Sequence, residues 1–126
     1  MKLILHEVEL NSKDVESSEK FYHDLLGLPV HVDQEGLKVF DSGWSGLDLN
    51  VSVHNPGKTT ISFLVDNLDE FIAMLKDNGH KVGDIYETHL EMRAVELEDP
   101  NGNRIEIQCP TEKSPQFLHD MVKSLT

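Results

Sequence analysis

The chain has 126 residues, 38% of them hydrophobic and 27% charged, enough for about one ordinary domain with a core of its own. Its formal charge of −12, from 23 acidic against 11 basic residues, argues against nucleic acid, whose binding rests on neutralised phosphates, and against an anionic membrane surface. No apolar run approaches the roughly 20 residues of a bilayer span, the start lacks the apolar core and cleavage site of a secretory signal, and Cys109 is the only cysteine, so a cytoplasmic protein is expected.

In chain order, Leu3–Leu10 reads as a strand and Asp14–Gly27 as a helix. Val15, Ser18, Phe21, Tyr22, Leu25 and Leu26 recur at three- and four-residue spacing, Asp14 suits the N-cap, and Gly27 suits the left-handed position past the end. Strands are expected at Leu28–Asp33, Gly36–Asp41 and Leu47–Val53. The design then repeats. A strand at Thr59–Val65 precedes a helix at Asp66–Gly79 with its stripe on Leu68, Phe71, Ile72 and Leu75, and strands follow at Lys81–Tyr86, Met92–Glu98 and Arg104–Cys109. Each half therefore reads β-α-β-β-β. Ser114–Leu125 is a further helix, capped by Ser114, whose stripe of Phe117, Leu118, Met121, Val122 and Leu125 must be covered by its own domain or by a partner chain.

The turns repeat as well. "DSGWSGLDL" from Asp41 aligns without gaps on "DPNGNRIEI" from Asp99, so that Asp48 matches Glu106. Side chains alternate across a strand. That alternation sets Asp48, Asn50 and Ser52 opposite Leu47, Leu49, Val51 and Val53, and Arg104, Glu106 and Gln108 opposite Ile105 and Ile107. It sets Thr60 and Ser62 opposite Ile61, Phe63 and Val65, and Glu7 and Glu9 opposite His6, Val8 and Leu10. The apolar faces belong under the helices, which leaves His6 as a packing residue and the polar faces looking elsewhere. Acidity alone needs no more than solubility to explain it. It also leaves room for a cationic small ligand or a metal ion.

The turn "DPNGN" before "RIEI", with "HEVELNSKDVESSEKFYHDLLGLPV" near the start, resembles the vicinal oxygen chelate superfamily, which includes glyoxalase I, bleomycin-resistance proteins and extradiol dioxygenases. The resemblance covers residues from about 3 to 109. It implies an α+β fold: two tandem βαβββ modules forming a curved mixed sheet around a cavity, plus the C-terminal helix. One glyoxalase-like domain over 1–126 is expected, with module 1 at about 1–55, module 2 at about 58–110 and the helix at about 114–125. It also implies that a metal, where present, is held by the first and last strands of each module. A His usually stands seven residues before the Asp that opens the first helix, but counting back from Asp14 lands on Glu7, with His6 one place off. The matching position in the second module, found by aligning "TISF" on "EVEL", is Thr60. The closing strands supply Asp48 and Glu106.

Two readings follow. In the favoured one the chain is a glyoxalase/bleomycin-resistance-like protein that binds a small organic, possibly cationic ligand in an acidic cavity lined by Glu7, Glu9, Asp48, Asn50, Thr60, Ser62, Arg93 and Glu106, without the usual His-based metal site and with no cofactor. In the other it is a divalent-metal-dependent isomerase, lyase or dioxygenase with Mg, Mn, Ca, Ni or Zn on Glu7 (or His6), Asp48 and Glu106, where Glu106 or Glu7 moves a proton. Arg93 is either a cavity residue or half of an ion pair, and Trp44 either closes a cavity, meets a second subunit or packs over the sheet. The family resemblance implies a homodimer. The remaining histidines show no ligand spacing and read as surface residues.

Overall fold

The computed structural model describes residues 3–125, and the chain divides into two compact units. One spans His6–Ile61; the other joins the chain up to Leu5 with everything from Ser62 on. The secondary structure is α+β, as expected, with two βαβββ runs and a C-terminal helix. Among the described residues no helix is long and apolar enough to cross a membrane.

The unit around residues 6–61 contains most of β1 (Ile4–Asn11), then α1 (Val15–Glu19), β2 (Val30–Gln34), β3 (Leu37–Asp41) and β4 (Asp48–Ser52). Its strands lie in the order β2-β3-β4-β1, with β1 parallel to β4 and the other pairs antiparallel. Asp14 caps α1, its extended backbone presenting a carboxylate to the amide of Glu16 at 3.1 Å. The expected regular helix to Gly27 is not what forms. After Glu19 the chain widens into a π-helical turn over Lys20–Leu25, closed by the Leu26 amide on the Phe21 carbonyl at 3.0 Å. In that wider turn Tyr22 packs on Phe40 of β3, ring centres 5.5 Å apart, and on Phe21 edge-on at 5.1 Å. Phe40, Val51 and Val15 are buried here. Lys38 is buried on the same side of β3, neutralised by Glu19 of α1 and Asp33 of β2.

The second unit contains most of β5 (Thr60–Leu64), α2 (Leu68–Asp77), β6 (Tyr86–Thr88), β7 (Met92–Glu98), β8 (Arg104–Cys109) and α3 (Gln116–Lys123), with strands in the order β5-β8-β7-β6. Asn67 caps α2 through the amide of Glu70 at 3.0 Å. The helix buries Leu68, Phe71 and Leu75 against Val65, Val95 and Ile107. The strand expected at Lys81–Tyr86 is not there: Gly83 and Asp84 interrupt it, and regular pairing begins only at Tyr86. Ahead of β7, Leu90 and Glu91 take positive φ values of 56° and 58°. The Glu91 carbonyl accepts from the hydroxyls of Thr111 at 2.7 Å and Ser114 at 3.2 Å, which fixes this strained corner. Ser114 is therefore no helix cap; Pro115 holds that position in α3 without a side-chain bond. The stripe of α3 is covered by its own unit, where Leu118 and Val122 pack on Leu64 and Met92.

Candidate functional site

In the 6–61 unit the parallel pairing sets Glu7 beside Asp48 and Glu9 beside Asn50, so these four residues share a face. Glu7 is buried and its Oε2 accepts from Asn50 Nδ2 at 2.7 Å. Glu9 Oε2 accepts from Asn55 Nδ2 at 2.6 Å. His6, of the opposite parity, is 2% exposed and donates from Nδ1 to the Gly46 carbonyl at 3.1 Å. Burial pushes the Asp48 carboxyl above its ordinary value and the nearby Glu7 adds to this, while His6 and His31 oppose it.

His31 is a site residue that sequence reasoning missed. Its Nδ1 lies 3.3 Å from Asp48 and its Nε2 3.6 Å from Asp41, so one imidazole bridges two carboxylates. The register of β2 on β3 shifts between Val30 and Val32, and His31 sits at that irregularity. No spacing in the sequence announces it. Two buried atoms of this unit have no hydrogen-bond partner: Asn50 Oδ1 and Thr60 Oγ1.

In the other unit Glu106 is the centre. Its Oε1 accepts from Ser62 Oγ at 3.1 Å and from Gln108 Nε2 at 2.6 Å, and its Oε2 from Tyr86 Oη at 2.5 Å. Gln108 is fully buried. Burial, then the bond to Glu106, pushes the Tyr86 hydroxyl far above its ordinary range, with Arg104 opposing. Tyr86 thus stays protonated and donates. Arg104 in turn holds Glu96, which pairs with Glu106 across the sheet, at 2.9 Å. Tyr86 is the second residue that the sequence does not mark: the pattern ends a strand at it, whereas the strand begins there.

Arg93 leaves the candidate site. It shares the face of Val95 and Leu97, which pack with α2, and its guanidinium lies 3.5 Å from Asp69 of that helix. Cys109 packs with the α2 cluster, and burial raises its thiol. Trp44 is 77% exposed in the β3–β4 turn, so packing over the sheet is not its role.

The donor chemistry does not fit the metal site that the resemblance implies. A carboxylate offers about four lone-pair positions, and Glu106 has given three to Ser62, Gln108 and Tyr86. Thr60 brings a hydroxyl where an imidazole is expected, and His6 is turned to a backbone carbonyl. Among the described residues no three His, Cys, Asp or Glu side chains are grouped to hold an ion.

Comparison with known proteins agrees with this architecture. Among curated proteins, none matches this sequence. Among solved structures the fold is similar to a hypothetical protein from Bacillus halodurans C-125, at TM-score 0.71 and 18% identity, covering 91% of this chain and 99% of that one. It is similar to methylmalonyl-CoA epimerase from Mycobacterium tuberculosis, at TM-score 0.66 and 16% identity, covering 91% of both chains. It is also similar to a glyoxalase/bleomycin resistance protein/dioxygenase superfamily member from Vibrio splendidus 12B01, at TM-score 0.64 and 13% identity over 86% of this chain and 98% of that one. At these identities the likeness concerns the fold alone. The family model for "Glyoxalase/Bleomycin resistance protein/Dioxygenase superfamily" matches residues 4–107, and the chain belongs to that superfamily.

Proposed function

We propose that this superfamily member binds a small organic ligand that carries positive charge or several hydrogen-bond donors, without a His-based metal site. The observation that carries the reading is the state of Glu106, whose carboxylate is engaged by a hydroxyl, an amide and a phenol. Neutral donors take the place an ion would need, and they leave its negative charge to act on a ligand at short range. Glu7, Glu9 and Asp48 in the other unit are likewise held by side-chain donors or by an imidazole. Within the 6–61 unit taken by itself, the orphaned Asn50 Oδ1 and Thr60 Oγ1 are acceptors open to a ligand's donors.

Those same two oxygens favour a second reading, a hard divalent cation on an oxygen-only set with Glu7. Metal analysis of the purified protein, with thermal shifts in Mg, Mn, Ca, Ni and Zn and in a series of organic amines, separates the two. Stabilisation by amines that Glu106→Ala abolishes is expected. A stoichiometric ion lost in Glu7→Ala would overturn the binder reading. We further propose a cytoplasmic homodimer, its oligomeric state checked by sedimentation; exposed Leu25, Leu26 and Trp44 of the 6–61 unit are side chains it would cover.

A further inference from the structure

A groove of about 650 Å³ opens in the second unit where β6 stops and β7 runs on. Pairing between these strands covers only Met92–Ala94, so the end of β7, Glu96 to Glu98, faces the irregular segment from His80 to Asp84. The volume lies in the roughly 300–1,000 Å³ range of small-molecule sites. Val82 and Leu97 supply its apolar lining, and Tyr86 is an aromatic wall. That wall is braced: the Tyr86 hydroxyl is bound to Glu106, itself held by Ser62 and the fully buried Gln108. Glu96 is held by Arg104. Asp84 and Glu98, by contrast, are exposed and engaged by no ion pair among the described residues. Lys81 is the lone Lys or Arg of the lining.

We propose that this groove is a binding site for a small organic cation with a flat apolar body, of the aryl-alkyl ammonium class. Two uncompensated carboxylates, Asp84 and Glu98, outweigh Lys81 and receive the ammonium. The face of Tyr86 attracts the same charge through its ring quadrupole, and Val82 and Leu97 take the apolar body. The chain's charge of −12 concentrates cations near it. Glu106, on this view, is a positioning residue that fixes the ring instead of a metal ligand. The inference concerns one unit alone and does not rest on the binding function proposed for the sheet faces.

Benzylammonium, titrated into the isotope-labelled full chain and followed by heteronuclear NMR, is the test. Shifts confined to the amides of 80–86 and 96–98 are expected, with benzyl alcohol and benzoate binding more weakly. The double variant Asp84→Asn/Glu98→Gln should weaken benzylammonium about tenfold; both positions are exposed, so the fold persists and the unperturbed spectrum confirms it. Tyr86→Ala should weaken it as well, and Tyr86→Phe, which keeps the ring, less. Absence of shifts, equal binding of benzoate, or an affinity unchanged in the double variant would each overturn the groove. Shifts confined to Ser62, Glu106 and Gln108 would overturn it while supporting the sheet-face reading.

Discussion

Asp48 and Glu106 stand at equivalent places in two copies of one supersecondary unit, yet their surroundings solve the same problem differently. Asp48 lies beside a second acid, Glu7, and is compensated by the His31 imidazole. Glu106 also faces an acid across the sheet, Glu96, but Arg104 takes that acid and three neutral donors take Glu106. In the first site the acid itself is raised by burial, with the imidazole opposing. In the second the acid is held by a phenol that stays protonated, a hydroxyl and an amide. The scaffold dictates where the carboxylate points; its neighbours decide what it can do.

The units differ also in what covers them, since only the Glu106 unit carries an added helix. Truncating its anchor should produce the largest effect. Leu118 is fully buried against Leu64 and Met92. Leu118→Ala is expected to cost about 2–5 kcal/mol in urea unfolding. A cost near zero would mean that α3 is not docked in solution and that the asymmetry between the units is overstated.

The donors on the buried Glu7 and the half-buried Glu106 come next. Asn50→Ala strips Glu7 of its amide donor at a buried position and should cost about 2–3 kcal/mol; Tyr86→Phe removes one of three donors from Glu106 at a half-buried one and should cost about 1–2. Unfolding curves of both variants check the ranking. A larger loss from Tyr86→Phe would show that the three donors on Glu106 are not interchangeable and act as one network.

Much of this was readable before the fold. Helix caps, strand alternation and the matched turns placed both βαβββ runs, and parity alone placed Glu7, Glu9, Asp48 and Asn50 on one face. The turn match extends to chemistry: Asp41 accepts from the amide of Gly43, and Asp99 from those of Asn101 and Asn103. The misses have specific causes. His31 is aimed by a register shift, which depends on how two strands meet and leaves no local mark. Tyr86 follows a Gly-Asp interruption that converts an apparent strand into a groove wall. Arg93, left open by the resemblance between the cavity and an ion pair, takes the ion pair, and its alternation with Val95 and Leu97 sets it under α2. The π-helical turn goes with the packing of Tyr22 on Phe40, a contact distant in sequence.

The smallest effect sharpens the contrast most, because it is one of pH. Burial raises the Asp48 carboxyl above its reference of 3.8, so the folded state holds this proton more tightly than the unfolded chain. Its contribution is fully present below the unfolded value and is lost as pH rises through the folded one. Asp48→Asn should therefore match the parent in acid and gain a slight advantage in thermal unfolding temperature as pH climbs toward neutrality. His31 holds the shift down, so His31→Ala should make the parent's loss with pH steeper. Asp99 runs the other way: its carboxyl is lowered by the bonds from Asn103, so its contribution is present above the unfolded value and lost as pH falls. If Asp48→Asn instead lowers the unfolding temperature at neutral pH, the imidazole outweighs burial. The difference between the two units would then reduce to the helix that covers one of them.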